Sequence, residues 1–363
     1  MEDLIRQDIL NIEAYKPGKP IEEVERELGL KDVVKLASNE NPLGPSPAAL
    51  AAIRKNLKSL NRYPEGTCFY LKKKLAAKLG VKENNLLFGN GSDELIDIIL
   101  KTIKGPDAEI ITSDTTFVEY KICGAINGFD VTAVPLKDFT FDLEAIRSKI
   151  TKRTKAVFIA NPNNPTGTFV NAKQVADFLD GMPRQVLVVF DEAYFEFVTE
   201  KDFPEMIPLI EKKNVIVLRT FSKAYGLAGL RIGYMAASEK FIGYAQRVRQ
   251  PFNVNSLAQA AATAALNDKK FLKRTRECIA KEKKLLYKAF LKLGVWFKDS
   301  SANFIFVRLE KDAGKVFQLL LKKGVIIREM SQYGLTNYAR ITVGTRQENI
   351  KLIKGLDEVL NSK

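Results

Sequence analysis

The chain of 363 residues contains no histidine. That absence excludes Ser-His-Asp and Cys-His nucleophile systems, an imidazole general base, and His-ligated zinc or haem. Proton transfer near pH 7 is left to Lys, Asp, Glu, Tyr, Cys or a cofactor. Cysteine is scarce. Cys68, Cys123 and Cys278 stand alone, in no C-x-x-C pair, which argues against a thiolate metal site and fits a reducing, cytoplasmic compartment. No apolar run approaches the roughly 18 residues of a membrane span. The charged opening MEDLIRQDIL predicts no signal peptide. The nucleotide-binding patterns G-x-G-x-x-G and G-x-x-x-x-G-K-[ST] are both missing, and there is no repeat or low-complexity tract.

What is present is an ordinary globular composition, 46% apolar and 28% charged. The excess of 57 basic over 43 acidic residues, net +14, is spread over Leu-rich helical stretches such as 72–74, 281–284 and 322–323. These read as solvated helix faces, so neither a nucleic-acid nor a membrane partner is expected. A globule of this size should expose roughly 15,000 Å² of the roughly 59,000 Å² of its extended chain, an ample core.

Short apolar runs predict strands at 86–88, 109–112, 131–134, 156–160, 186–190, 215–218 and 233–236, with helical patterns between them, such as 92–101 and 172–179. Several runs are continuously apolar, as in strands buried on both faces of a parallel sheet. The fold class is therefore α/β, with a large domain over 41–250. After Pro251 the pattern becomes α+β: a long helical region at 256–293, a strand at 303–308, a helix at 313–323 and strands at 325–328 and 339–343. Residues 251–363 form a smaller domain, joined by an N-terminal arm and short helix (21–28) within 1–40.

In open α/β sheets ligands sit beyond the carboxyl ends of the strands, and four such ends carry unusual polar residues. Strand 86–88 runs into Gly89-Asn90-Gly91-Ser92-Asp93-Glu94 and a helix. Small residues there let backbone N–H groups and the helix dipole meet a phosphate, although a capped glycine turn explains the segment equally well. Strand 156–160 ends in Asn161-Pro162-Asn163-Asn164-Pro165-Thr166-Gly167, a rigid turn that aims an Asn amide. Strand 186–190 ends in Asp191-Glu192-Ala193-Tyr194, where a buried Asp needs a cationic partner. Strand 215–218 leads to Arg219-Thr220-Phe221-Ser222-Lys223 and on to Arg231. A lysine in such a structured, partly apolar turn can act as an amine nucleophile, and Ser222 and Arg231 are phosphate-binding types.

These segments resemble the fold-type I pyridoxal phosphate (PLP) aminotransferases, class II subgroup, and within them the histidinol-phosphate aminotransferases. The resemblance covers nearly the whole chain: 35–46 (KLASNENPLGPS), Arg62-Tyr63-Pro64, the 89–94 loop, 161–167, 191–194, 222–233 and 338–344 (YARITVG). It implies a mostly parallel seven-stranded sheet between helices in the large domain, and PLP as cofactor. By the same resemblance Lys223 is the Schiff-base lysine, and Asp191 faces the pyridine nitrogen. Asn164 and Tyr194 hydrogen-bond the phenolic oxygen and Phe117 stacks on the ring. Gly91, Ser92, Ser222 and Arg231 form the phosphate cup, with Asp93 among the cofactor contacts. Tyr63 reaches the phosphate in a neighbouring subunit, which implies a homodimer with shared active sites.

The reaction implied is ping-pong amino transfer in histidine biosynthesis, between L-histidinol phosphate or imidazole-acetol phosphate and 2-oxoglutarate or glutamate. Arg328 and Arg340 are expected at the anionic end of the substrate, with Tyr15, Asn39 and Asn303 beside them. Guanidinium forks fit phosphate and carboxylate alike, so one arginine can serve both substrates. The alternative is an aromatic amino acid aminotransferase, a reading encouraged by the Tyr333-Gly334-Leu335 to Asn337-Tyr338 loop. A phosphothreonine decarboxylase, releasing CO₂ and consuming no oxo acid, is a further relative.

Overall fold

The computed structural model of the chain describes residues 4–10, 12, 18–103, 105 and 107–361. Helix Ile21–Leu28 is followed by a two-residue strand, β1 (Val34–Lys35). Seven strands come next: β2 (Leu86–Gly89), β3 (Glu109–Ser113), β4 (Asp130–Val134), β5 (Thr154–Ala160), β6 (Leu187–Asp191), β7 (Val215–Thr220) and β8 (Gly233–Ala236). The last strands are β9 (Trp296–Lys298), β10 (Phe304–Arg308), β11 (Val325–Ile326), β12 (Arg328–Met330) and β13 (Leu335–Thr342).

Strands β2 to β8 form one sheet in the order β2-β8-β7-β6-β5-β3-β4. All pairs are parallel except those of β8, which runs antiparallel to β2 and β7. Their apolar runs reflect burial on both faces: every residue of β7 and all but the first of β6 are buried. Helices between the strands start at sequence-encoded caps. Asn171 and Gln174 form a reciprocal capping box on helix Ala172–Leu179, and Ser238 accepts from Phe241 N on helix Glu239–Val248.

A second, antiparallel sheet has the order β12-β13-β10-β9, while β1 pairs in parallel with β11. The predicted helical region 256–293 is two helices, Ser256–Ala265 and Lys269–Lys292, parted where Asp268 turns to cap the second by accepting from Phe271 N. The predicted strand 325–328 is also divided. Val325–Ile326 joins β1 while Arg328–Met330 joins β13, so the chain changes sheets at Ile327. β13 begins at Leu335 rather than 339, because its first turn-facing residues Thr336 and Asn337 are exposed and carry no apolar signal.

The main core lies on the seven-stranded sheet and includes Phe158, Phe190 and Phe221. A second core under the antiparallel sheet gathers Phe290, Phe304 and Leu352, and also takes in Leu36, Tyr194 and Ala224. The carboxyl ends of β5, β6 and β7 therefore open onto the seam between the two cores.

Candidate active site

That seam holds a cavity of about 230 Å³. β6 delivers Asp191 to its floor, buried, with Oδ1 accepting from Ala193 N at 3.1 Å and Oδ2 from the Tyr120 hydroxyl at 2.7 Å. Both partners are neutral, and burial pushes the carboxyl up to about 6. Beyond β7 the chain folds into a tight turn around the fully buried Phe221: Ser222 N donates to Thr220 Oγ1 at 3.0 Å, and Leu227 N to Phe221 O at 3.0 Å. This turn aims Lys223 into the cavity, where Nζ donates to Ser38 O at 3.2 Å. Burial, reinforced by the Arg340 charge, pushes the amine down to about 8. A sizeable share of Lys223 is then neutral and nucleophilic at physiological pH.

Arg231 forms a second feature. Its backbone is left-handed (φ 54°) and its Nη2 lies 2.9 Å from Asp93 Oδ2. Gly91, at φ 83°, abuts the guanidinium so closely that a Cβ there would collide with it. Ser92 and Ser222 complete a cradle at the start of helix Gly91–Thr102, where unpaired N–H groups and a guanidinium suit a phosphate. Asp93 pairs with Arg231 at the edge of the same cavity. Phe117 lines the cavity and meets Tyr120 edge-on, ring centroids 5.6 Å apart.

Arg340 Nη1 donates to Asn164 Oδ1 at 2.5 Å, and Nη2 to Ala37 O. Arg328, also at the cavity, donates to Gln332 Oε1 at 3.1 Å. Tyr194 accepts from Asn39 Nδ2 at 2.9 Å, and burial pushes its phenol up to about 12. The donor set fits a phosphorylated pyridine aldehyde. It offers a cradle that only glycine permits, a buried carboxylate bonded by neutral donors alone, and an amine held partly unprotonated.

The family model "Aminotransferase class I and II" matches residues 31–356. The chain belongs to that family. The histidinol-phosphate aminotransferase of Moorella thermoacetica is 49% identical over 357 residues, 98% of this chain and 92% of its own length. That of Brevibacillus brevis is 45% identical over 356 residues, 98% of each chain. Among solved structures, the histidinol-phosphate aminotransferase of Sinorhizobium meliloti in complex with pyridoxal-5'-phosphate superposes with a TM-score of 0.91, at 31% identity, over 98% of this chain and 97% of that one.

Within this aminotransferase the cavity brings together Lys223, Asp191, Asn164, Tyr194, Arg231 and Arg340, together with Ser92, Asp93, Phe117, Ser222, Asn39 and Arg328. Two expected side chains lie outside this cavity. Tyr63 is 84% exposed, stacked on Phe252 at 4.9 Å and outside its own chain's cavity. Asn303 is buried behind the wall, where Nδ2 donates to Asn39 O at 3.0 Å. Tyr15 lies outside the described residues. Sequence reasoning missed Tyr120, the hydroxyl donor to Asp191. Its one signal was its nearness to Phe117: Tyr120 lies in the first turn of helix Glu119–Ile126, which begins two residues after Phe117.

Proposed function

We propose that the chain is a PLP-dependent transaminase that exchanges amino groups between L-histidinol phosphate, or imidazole-acetol phosphate, and 2-oxoglutarate or glutamate. The observation that carries this reading is one cavity holding the part-neutral Lys223, the buried Asp191 and the Arg231 cradle, with Arg328 and Arg340 on the same wall. The near full-length identity to proteins named histidinol-phosphate aminotransferase favours that substrate over an aromatic amino acid.

When bound, PLP supplies an electron-accepting ring that stabilises negative charge at the substrate α-carbon. Ser92, Ser222 and Arg231, with Gly91 behind them, hold its phosphate, and Phe117 covers one ring face. Asp191 holds a proton on the ring nitrogen: a buried carboxylate with neutral partners gains most from a cation beside it. Asn164 and Tyr194 serve the ring's oxygen. Lys223 Nζ would hold the cofactor, and the same amine is the group placed to take a proton from the substrate and return it; no imidazole is required. Arg340 and Arg328 bind phosphate of one substrate and carboxylate of the other.

The same reading assigns Tyr63 to the active site of a second subunit in a homodimer. The exposed area of 18,109 Å² exceeds the roughly 15,000 Å² of a compact monomer. Tyr63, Phe69 and Tyr70 are exposed aromatics in the same stretch of chain. Domains at 41–250 and 251–363, with 1–40 as an arm and part of the smaller domain, and a cytoplasmic location complete the proposal. Among the described residues no helix is long and apolar enough to cross a membrane.

The protein incubated with PLP is expected to show a visible absorbance band that Lys223→Ala lacks, with turnover falling roughly 10²- to 10⁴-fold in that variant. Steady-state turnover of histidinol phosphate, phenylalanine and tyrosine tests the substrate. A tenfold or greater preference for phenylalanine would overturn the assignment, and CO₂ release without an oxo acid would indicate decarboxylation.

A further inference from the structure

The polarity of one hydroxyl in the cavity wall is decided far from it, on the antiparallel sheet. Thr342 ends β13 and is 3% exposed. Its Oγ1 lies 2.9 Å from Asn39 N and 3.0 Å from Asn39 Oδ1. A main-chain N–H only donates, so Oγ1 accepts there, and it donates its own proton to Oδ1. Oδ1 is the carbonyl end of the amide in this arrangement, which gives the buried Thr342 proton its acceptor. The NH₂ end, Nδ2, is the atom 2.9 Å from Tyr194 Oη. An NH₂ group also only donates, so Tyr194 accepts from Asn39 and its own proton points elsewhere. Asn39 is locked in place. Its backbone is left-handed (φ 56°), a conformation Asn tolerates well, and Asn303 Nδ2 holds its carbonyl at 3.0 Å.

We propose that Thr342 and Asn39 are positioning residues that fix the Tyr194 hydroxyl as a hydrogen-bond donor into the cavity. The proposal rests on the cofactor reading above, in which Tyr194 serves the ring oxygen. Without the relay the hydroxyl could turn its proton to Asn39 and present a lone pair to the same oxygen, replacing attraction by repulsion. The relay also ties the chemistry to substrate recognition, because β13 carries Arg340 two residues before Thr342.

Three substitutions separate polarity from packing. Thr342→Val keeps the shape and removes the hydroxyl, Thr342→Ser keeps the hydroxyl, and Asn39→Asp replaces the NH₂ donor by an acceptor that reverses the Tyr194 bond. In cofactor-free protein, ¹³C NMR of the tyrosine Cζ carbons is expected to show the Tyr194 resonance displaced in Thr342→Val and Asn39→Asp and restored in Thr342→Ser. In the loaded enzyme Asn39→Asp should lower kcat about 10- to 100-fold, the scale of one hydrogen bond to a charged group, with KM little changed. Combined with Tyr194→Phe it should lower kcat no further. An unmoved Tyr194 resonance, or losses that multiply with those of Tyr194→Phe, would overturn the proposal. Asn39→Asp and Thr342→Ser decide it alone if Thr342→Val does not fold. Failure of the cofactor reading looks different: the native protein would take up no PLP, while the resonance would still report the relay.

Discussion

Burial displaces the titration of two ionisable groups in the cavity, and in the cofactor-free protein each weakens the fold over its own pH range. The Asp191 carboxyl is raised from 3.8 to about 6. Below the lower value both folded and unfolded chains are protonated and nothing is lost. As pH rises through about 6 the folded chain must bury an anion that the unfolded chain leaves in water, so stability falls. Asp191→Asn removes that cost. Urea unfolding of the cofactor-free proteins at pH 7.5 should show the variant more stable by up to ~3 kcal/mol, with the gain vanishing below about pH 4. Transamination should be nearly abolished in the same variant, a stability–function trade-off at one residue. Lys223 has the opposite sign: lowered from 10.5 to about 8, it weakens the fold as pH falls through about 8. The rate of PLP capture should accordingly rise with pH with a midpoint near 8. Asp191 stood out in the sequence because an acid after five apolar residues has no cheap explanation. Tyr120 did not, since a tyrosine on a helix next to a sheet reads as core until its hydroxyl is seen 2.7 Å from the carboxylate.

At the level of elements, the exits of β6 and β7 are clamped from the face opposite the cavity. Successive residues of a strand point to opposite faces, so Asp191 and Thr220 line the site while Glu192 and Arg219 meet behind it. Arg219 Nε and Nη2 lie 2.8 and 2.7 Å from Glu192 Oε2, and the guanidinium sits 3.5 Å from the centre of the Phe195 ring. Both side chains are buried. Arg219→Met leaves Glu192 buried without its cation and should cost about 3–5 kcal/mol. The double change Glu192→Leu with Arg219→Met should recover most of that, because well-packed apolar residues replace a buried pair at little cost. Thermal and urea unfolding of the three variants measures both. If the single and double variants were equally unstable, the clamp would act through shape rather than charge. The strands of the large sheet were legible as apolar runs, but β12 and the start of β13 were not. They are short and partly exposed, and their pairing is set by partners distant in sequence.

For the whole molecule the question is where Tyr63 acts, since its ring is exposed on the chain that carries it. With shared sites, Lys223→Ala and Tyr63→Ala each damage a different subunit's contribution. A hybrid dimer of the two has one site with neither residue and one with both. Dissociated and reassociated at equal amounts, the two variants should regain about a quarter of native activity, as random pairing in a two-fold dimer requires. If Tyr63 acts within its own chain, mixing restores nothing; if it does not act, Tyr63→Ala is as active as the native protein before mixing. Gel filtration at the assay concentration checks that dimers are present.

The sequence by itself determined the chemistry available. Without histidine the proton work falls to lysine, carboxylate and a cofactor, and the polar residues at four strand ends identified where that work is done, because strand ends in an open sheet converge whatever the intervening loops. Tertiary structure alone decided which polar groups face one another. The Tyr120 bond to Asp191, the Glu192–Arg219 clamp and the relay from Thr342 through Asn39 to Tyr194 join residues 27 to 303 positions apart. Hydrogen bonds depend on direction and on ångström distances, and neither is encoded in local pattern. The same side chains that composition leaves as core or turn residues acquire their charge state and donor direction only from what folding places against them.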